Sequence, residues 1–328
     1  MMRMDAHDNW PKVRDMYDKL RNEGKSHTAA VREVKKTFKG VGPGNQNRLR
    51  EGYKPHKPTP KPDPKPTPEK PAAGNVPDHP QGDSRVISTL DLKLLTCGGG
   101  DWNVPKTDMK KSKVVSFEGR DAVECVYGKN SGTSKDPGEG GFVFIAKPDG
   151  MSNQEIAFSW DVWYPEGFNF VRGGKYGGAF IGTGVASGYR HSPNGASNRI
   201  MWQKDGGIIA YVYPSSDLEQ KIDGLDPEGH GVGFFNAELA SVLKPNAWNT
   251  IEVGTKMNTF KNGKPQFDGT TYVIVNGKKC VQTGINWSSK PSININRFAW
   301  DSFFGGPSPT PETQVCHFSN FQMLKYEH

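Results

Sequence analysis

The chain has 328 residues, with 42 Lys and Arg against 35 Asp and Glu, a formal net charge of +7, 39 Gly and 25 Pro. That length suits one large domain with a smaller appendage, and the Gly and Pro content predicts many turns and linkers. No run of eighteen apolar residues occurs, and Met1 to Asp8 lack the apolar stretch of a secretion signal; we expect a soluble protein with no membrane partner and no signal peptide.

Residues 8–40 predict two short amphipathic helices. Trp10, Val13, Met16, Tyr17 and Leu20 recur at helical spacing in the first, and Ala30, Val31, Val34 and Phe38 in the second. Gly24 and Gly40 fit as their stops, and Ser26 or Thr28 as the cap of the second. Residues 1–85 hold 18 Lys and Arg against 11 Asp and Glu, whereas the remainder is balanced at 24 each, so the whole positive excess lies at this end. A basic arm on a neutral domain implies an anionic partner. A helix-turn-helix reader of DNA would need base-reading residues beyond Arg32, Lys35 and Lys36, so we expect residues 1–53 to attach to an acidic polysaccharide surface and not to nucleic acid.

From Lys54 to Pro71 the sequence repeats Lys and Pro, which forbids helix and central strand and predicts extended polyproline II. At about 3.1 Å per residue it would span roughly 50 Å. We take 54–85 as a linker.

Residues 86–328 change to short alternating segments separated by Gly, Pro, Asn and Asp: Gly141–Ala146, Glu155–Tyr164, Gly178–Thr183, Arg199–Gln203, Ile208–Tyr213, Thr250–Thr255, Thr271–Val275 and Val315–Leu324. The pattern predicts an all-β, jelly-roll sandwich of two antiparallel sheets. Asn236–Leu243 reads as the one short helix. Trp160, Trp163, Trp202 and Trp300 read as core. Cys97, Cys125, Cys280 and Cys316 have no paired spacing, so no metal site or cofactor is expected, although one or two disulfides are compatible with work outside a cell. Gly-rich stretches such as Gly173–Gly178 and Gly98–Gly100 lack the helix context of a phosphate loop and read as turns or close backbone approaches. Nothing in the pattern calls for an oligomer; a monomer is expected.

One segment, Lys175 to Pro214, concentrates polar groups that an ordinary sandwich strand has no reason to bury. Ser197 and Arg199 are two apart, as are Tyr211 and Tyr213, so each pair faces one side of its strand. Whether the pairs share a face depends on the turn at Asp205-Gly206-Gly207. A two-residue loop puts Arg199 opposite Val212 and the tyrosines on the other face; a three-residue loop sets Lys204 opposite Ile208 and Arg199 opposite Tyr213.

This segment resembles the family 14 polysaccharide lyases, in particular the alginate and glucuronate-polymer lyases of viruses that infect green algae. The resemblance rests on Lys175 in its Gly-rich setting, on Ser197 and Arg199 in ASNRIMW, and on Tyr211 and Tyr213 in YVYP, with the later DSFFGG at Asp301–Gly306 also similar. It implies a jelly roll with a cleft on one sheet and eliminative cleavage of uronate polymers, with no cofactor. It further implies action at an algal cell wall by a virion-associated or lysis-released protein.

That chemistry suits the residue types. Removing the weakly acidic C5 proton of a 4-O-linked uronate requires the adjacent carboxylate to be neutralised, for which the Arg199 fork is apt and Lys175 adds a second cation. Ser197 can position the sugar. The base candidates are Tyr211, Tyr213 and His191; a tyrosine would need Lys175 and Arg199 to stabilise its phenolate, and Tyr213 is favoured because the three-residue turn sets it opposite Arg199. His191, Asn198 and Gln203 are expected to contact substrate. Two other readings stand beside this one. A lectin would bind acidic sugar without cutting it. A glycoside hydrolase would need paired carboxylates, and Asp161 and Glu166 have a spacing that sends them to opposite faces of a regular strand.

Overall fold

The computed structural model describes residues 4–5, 10–23, 25–39, 49, 85–105, 107, 109–132, 140–218, 220–226, 229–305 and 308–325. The chain divides into two compact units between His79 and Pro80. Gly24, Gly40 and nearly all of the 54–85 linker lie outside the described residues.

In the first unit, strand β1 (Met4–Asp5) is followed by helices α1 (Trp10–Asn22) and α2 (His27–Thr37). Ser26 caps α2 by accepting a hydrogen bond from the Ala29 amide at 3.2 Å. Val13, Tyr17, Ala30, Val31 and Val34 form the shared core, as their helical spacing requires. Phe38 belongs to this core but not to α2. It starts β2 (Phe38–Lys39), an extended pair lying parallel to β1.

The second unit is the expected sandwich. In chain order its strands are β3 (Arg85–Thr89), β4 (Lys113–Phe117), β5 (Arg120–Tyr127), β6 (Val143–Ala146), β7 (Glu155–Trp163), β8 (Gly173–Gly182), β9 (Gly195–Gln203), β10 (Ile208–Tyr213) and β11 (Val232–Phe234). There follow β12 (Trp248–Lys256), β13 (Phe260–Lys261), β14 (Lys264–Pro265), β15 (Gly269–Val275), β16 (Lys278–Ile285), β17 (Ile295–Asp301), β18 (Phe303–Phe304) and β19 (Gln314–Lys325). One antiparallel sheet runs β11-β10-β9-β8-β17-β6, with β18 beside β8; the other runs β16-β15-β12-β7-β19-β5-β4, with β3 beside β19.

Between the sheets lies an aromatic core. Trp102, Trp160, Trp202, Trp287 and Trp300 are fully buried, and Trp160 and Tyr176 meet edge to face across the layers at 5.9 Å. Trp163 instead lies partly buried, its ring 5.0 Å from Phe117. The four cysteines are free thiols, and Cys125 and Cys316 are buried opposite each other on β5 and β19.

The helix expected at Asn236–Leu243 is absent. Leu239 donates to the Phe235 carbonyl as in one helical turn, but Ser241 takes φ 48° and the Leu243 amide turns to the Gly206 carbonyl. Leu239 and Leu243 are buried there, so the segment packs as irregular turns against the β9–β10 loop, and that packing overrides its helical pattern.

Candidate active site

The β9–β10 hairpin decides the site. Its loop is three residues, Lys204–Asp205–Gly206, closed by a Gln203 amide donating to the Gly207 carbonyl at 2.8 Å. Asp205 and Gly206 carry φ 59° and 74°. The loop sits one residue earlier than expected, so Tyr211 faces Arg199 and Tyr213 faces Ser197. The expectation that Tyr213 would lie opposite Arg199 is corrected, while both pairs do share one face.

That face is turned away from the core. Alternate residues Ile200 and Trp202 are buried in the core cluster, and Asn198 points the same way. Asn198 Nδ2 donates to the Gly254 carbonyl and to Thr255 Oγ1, both at 2.9 Å, and its Oδ1 accepts from Thr271 Oγ1 at 3.0 Å. Asn198, expected at the cleft, therefore staples the two sheets together from inside the sandwich, while its neighbours Ser197 and Arg199 take the outward positions.

Lys175 enters from the adjacent strand β8, opposite Met201, just before an irregularity in register between Lys175 and Gly178. The strand can come this close only because of its glycines: a Cβ at Gly174 would lie 1.8 Å from the Trp202 ring, and one at Gly178 2.0 Å from the Asn198 carbonyl. Lys175 Nζ is 5.4 Å from the centre of the Tyr211 ring and 5.7 Å from that of Phe303. Lys175, Arg199 and Tyr211 thus project from three neighbouring strands, each about 4.8 Å from the next.

Arg199 is 4% exposed. One Nη2 hydrogen bond goes to the Tyr176 carbonyl at 3.2 Å, Asp301 Oδ2 stands 3.9 Å from the same nitrogen, and Nε has no hydrogen-bond partner. One N–H of this buried guanidinium is thus left without a hydrogen-bond partner in the chain. Burial, followed by the repulsion of Arg199, lowers the Lys175 pKa to about 8, against the opposing pull of Asp301. Asp301 is itself raised by burial despite Arg199, Lys175 and Lys110.

Burial, and then Tyr213, push the Tyr211 phenol above its ordinary value, so the nearby cations do not hold it as phenolate. The two tyrosine hydroxyls are 3.3 Å apart, and Tyr213, 1% exposed, also accepts from the Tyr189 amide at 3.3 Å. His191 Nε2 donates to the Gly229 carbonyl at 3.2 Å with its ring 5.0 Å from Tyr213; burial lowers its pKa, leaving it neutral near pH 7. Ser197 Oγ is already committed, donating to the Ala186 carbonyl at 2.6 Å. Gln203 faces the cleft side but lies four residues along β9 from Arg199, roughly 13 Å away, with Nε2 donating to the Trp202 carbonyl at 3.1 Å.

Two residues went unassigned in the sequence. Asp301 ends β17 beside Arg199, within the DSFFGG segment that was the available signal. Arg297, also on β17, lies 5.0 Å from the Phe180 ring, whose other neighbour is Arg199 at 5.7 Å. The carboxylates of the hydrolase reading are elsewhere. Asp161 lies on β7 of the other sheet, where it accepts from Arg120 and Thr250, each at 2.7 Å. Among the described residues no group of three or more His, Cys, Asp or Glu is placed to hold a metal ion.

The family model of polysaccharide lyase 14 matches residues 116–321. The chain is 63% identical to the solved alginate lyase vAL-1 from Chlorella virus, with a TM-score of 0.72, over 74% of this chain and 100% of that one. The marine PL-14 alginate lyase from Aplysia kurodai shares the fold at a TM-score of 0.62 and 20% identity, over 74% of this chain and 99% of that one. Exolysin of Paramecium bursaria Chlorella virus 1 is 33% identical over 202 residues, 54% of this chain but 30% of its own length. The match of the family model across most of the β-sandwich, including all three strands that carry Lys175, Arg199 and Tyr211, places this chain in polysaccharide lyase family 14.

Proposed function

We propose that the sandwich cleaves 4-O-linked uronate polymers, alginate or a glucuronate-bearing wall polysaccharide, by β-elimination. The observation that carries the reading is the convergence of Arg199, whose Nε–H has no partner, Lys175 and the Tyr211–Tyr213 pair on one face. The 63%-identical relative from Chlorella virus is an alginate lyase, which supports the substrate class.

Arg199 receives the carboxylate of the sugar to be cut, withdrawing charge so that the C5 proton becomes acidic enough to remove. A base takes that proton, the C5–H electrons form the C4–C5 double bond, the C4–O bond breaks and the departing oxygen is protonated. In gluco- and manno-configured units the C5 proton and the C4 oxygen lie on the same side, so one cluster can serve both steps. With its pKa lowered to about 8, Lys175 has a substantial free-amine fraction near that pH and takes the base role. The neutral Tyr211 phenol is suited to donate to the leaving oxygen, with Tyr213 behind it to resupply the proton. Arg297, further across the same face, suits the carboxylate of a neighbouring sugar.

The test is incubation with polyglucuronate and with alginate while following the ultraviolet absorbance of unsaturated uronate ends. Growing absorbance supports the reading; binding without absorbance makes the protein a lectin. The basic N-terminal arm supports attachment to an acidic algal wall, reached as a virion component or on host lysis. Deleting residues 1–85 should preserve cleavage of soluble polymer and weaken retention on intact walls, most of all at low salt. Equal retention would exclude that role.

A further inference from the structure

We propose that the Tyr189 ring, backed on one side by His230, forms a stacking shelf for a sugar ring of the polymer at the Tyr213 end of the cleft, and that Tyr189 adopts its unusual backbone in order to present it. The inference rests on the reading of the cleft as a uronate-polymer site.

A closed circuit of contacts surrounds Tyr213. The Tyr189 amide donates to its hydroxyl, the Tyr189 ring meets His230 at 3.9 Å and 41°, and the neighbouring Gly229 carbonyl accepts from His191, whose ring returns to Tyr213. Everything in the circuit except the two outer rings is at least partly buried; Tyr189 is 49% exposed and His230 is exposed too. Two loops that belong to different hairpins have been brought together, and the exposed Tyr189 ring stands at the rim with His230 packed against it.

The backbone makes this arrangement hard to dismiss as chance exposure. Tyr189 sits at φ 67° after Gly188 at φ 60°, in a turn closed by the Arg190 amide donating to the Ser187 carbonyl at 3.2 Å. Two consecutive left-handed residues favour Gly, Asn or Asp, and an aromatic side chain there is strained. The amide contact to Tyr213 requires no particular side chain, so an Asn would keep it and relieve the strain. An exposed, strained tyrosine at a catalytic rim is explained if its ring has a use. The axial C–H face of a pyranose is apolar and matches an aromatic surface, while the hydroxyl and carboxylate edges stay free for polar partners.

The experiment compares Tyr189→Asn and Tyr189→Phe with the wild type in the full chain, measuring KM, kcat and Tm on uronate oligosaccharides, with calorimetric titration of the same oligosaccharides. Tyr189→Asn should raise KM about threefold to tenfold with kcat little changed. Its Tm should hold or rise by about 2 °C as strain is removed. Tyr189→Phe should keep the wild-type KM, since the ring is retained. An unchanged KM in Tyr189→Asn overturns the shelf while leaving the lyase reading intact, and so does a loss shared by Tyr189→Phe or accompanied by a falling Tm. A wild-type protein that neither binds nor cuts uronate oligosaccharides brings down both.

Discussion

Arg199 and Tyr211 face each other across the β9–β10 ladder, one supplying a buried cation and the other a half-buried neutral phenol to the same outward surface. This pairing follows from the phase of a three-residue loop; in the proposed mechanism Tyr211 is the proton donor and Lys175 the base, whereas local spacing favoured Tyr213 as the base. Removing the two phenol hydroxyls one at a time separates them. Tyr211→Phe should lower kcat by about a hundredfold to ten-thousandfold with KM little changed, as expected for a lost proton carrier. Tyr213→Phe should cost less, because Tyr213 acts through Tyr211. Steady-state kinetics on one polymer checks both, and the reverse ranking would make Tyr213 the proton donor.

Arg199→Lys tests the fork rather than the charge. Lysine keeps the cation but cannot offer Nε and Nη2 together to one carboxylate, so kcat/KM should fall by at least about tenfold. The fall should be smaller for a substrate whose carboxylate is esterified, which needs no neutralisation. Equal losses on both substrates would show that Arg199 holds structure and not the uronate.

The pH profile is sensitive to Asp301. A base acts in its unprotonated form, so activity should rise with pH through the Lys175 pKa of about 8. The groups acting on that lysine are Arg199 on β9, which with burial lowers its pKa, and Asp301 on β17, which raises it. Asp301→Asn removes the raising influence, and the ascending limb of kcat/KM should move to lower pH. A limb that stays in place in Asp301→Asn, with Lys175→Ala still active, would mean that Lys175 is not the base.

Asn198 predicts the opposite phenotype to its outward neighbours. Asn198→Ala strips hydrogen bonds from Gly254, Thr255 and Thr271 inside the sandwich and leaves a cavity, a loss of about 1–3 kcal/mol for each buried group left unsatisfied. The Tm should drop by several degrees, roughly 2–4 °C per kcal/mol in a domain of this size, with KM unaffected. Thermal unfolding and steady-state kinetics on the same preparation check it.

The sheets were legible because short, alternating, turn-bounded segments leave few other folds open, and Ser197, Arg199, Tyr211 and Tyr213 were legible because spacing by two puts each pair on one side of a strand. The same rule, followed through, already sends Asn198 inward. The phase of the hairpin was not legible: Lys204-Asp205-Gly206 and Asp205-Gly206-Gly207 are comparable three-residue loops, and the observed one is met by Leu239 and Leu243 from a later segment that local pattern does not bring there. Asp301 and Arg297 could not be placed from local pattern, since they reach Arg199 and Phe180 from a strand about a hundred residues later. The neutral state of Tyr211 depends on burial that no spacing reports.

The most direct test of elimination at this site is to digest a uronate polymer with the full chain in heavy-oxygen water and weigh the oligosaccharides by mass spectrometry. Each cut should give one unsaturated end lacking the elements of water, with no solvent oxygen incorporated, and Tyr211→Phe should suppress these products. Products carrying one heavy oxygen per cut and no unsaturation would show hydrolysis and contradict the account.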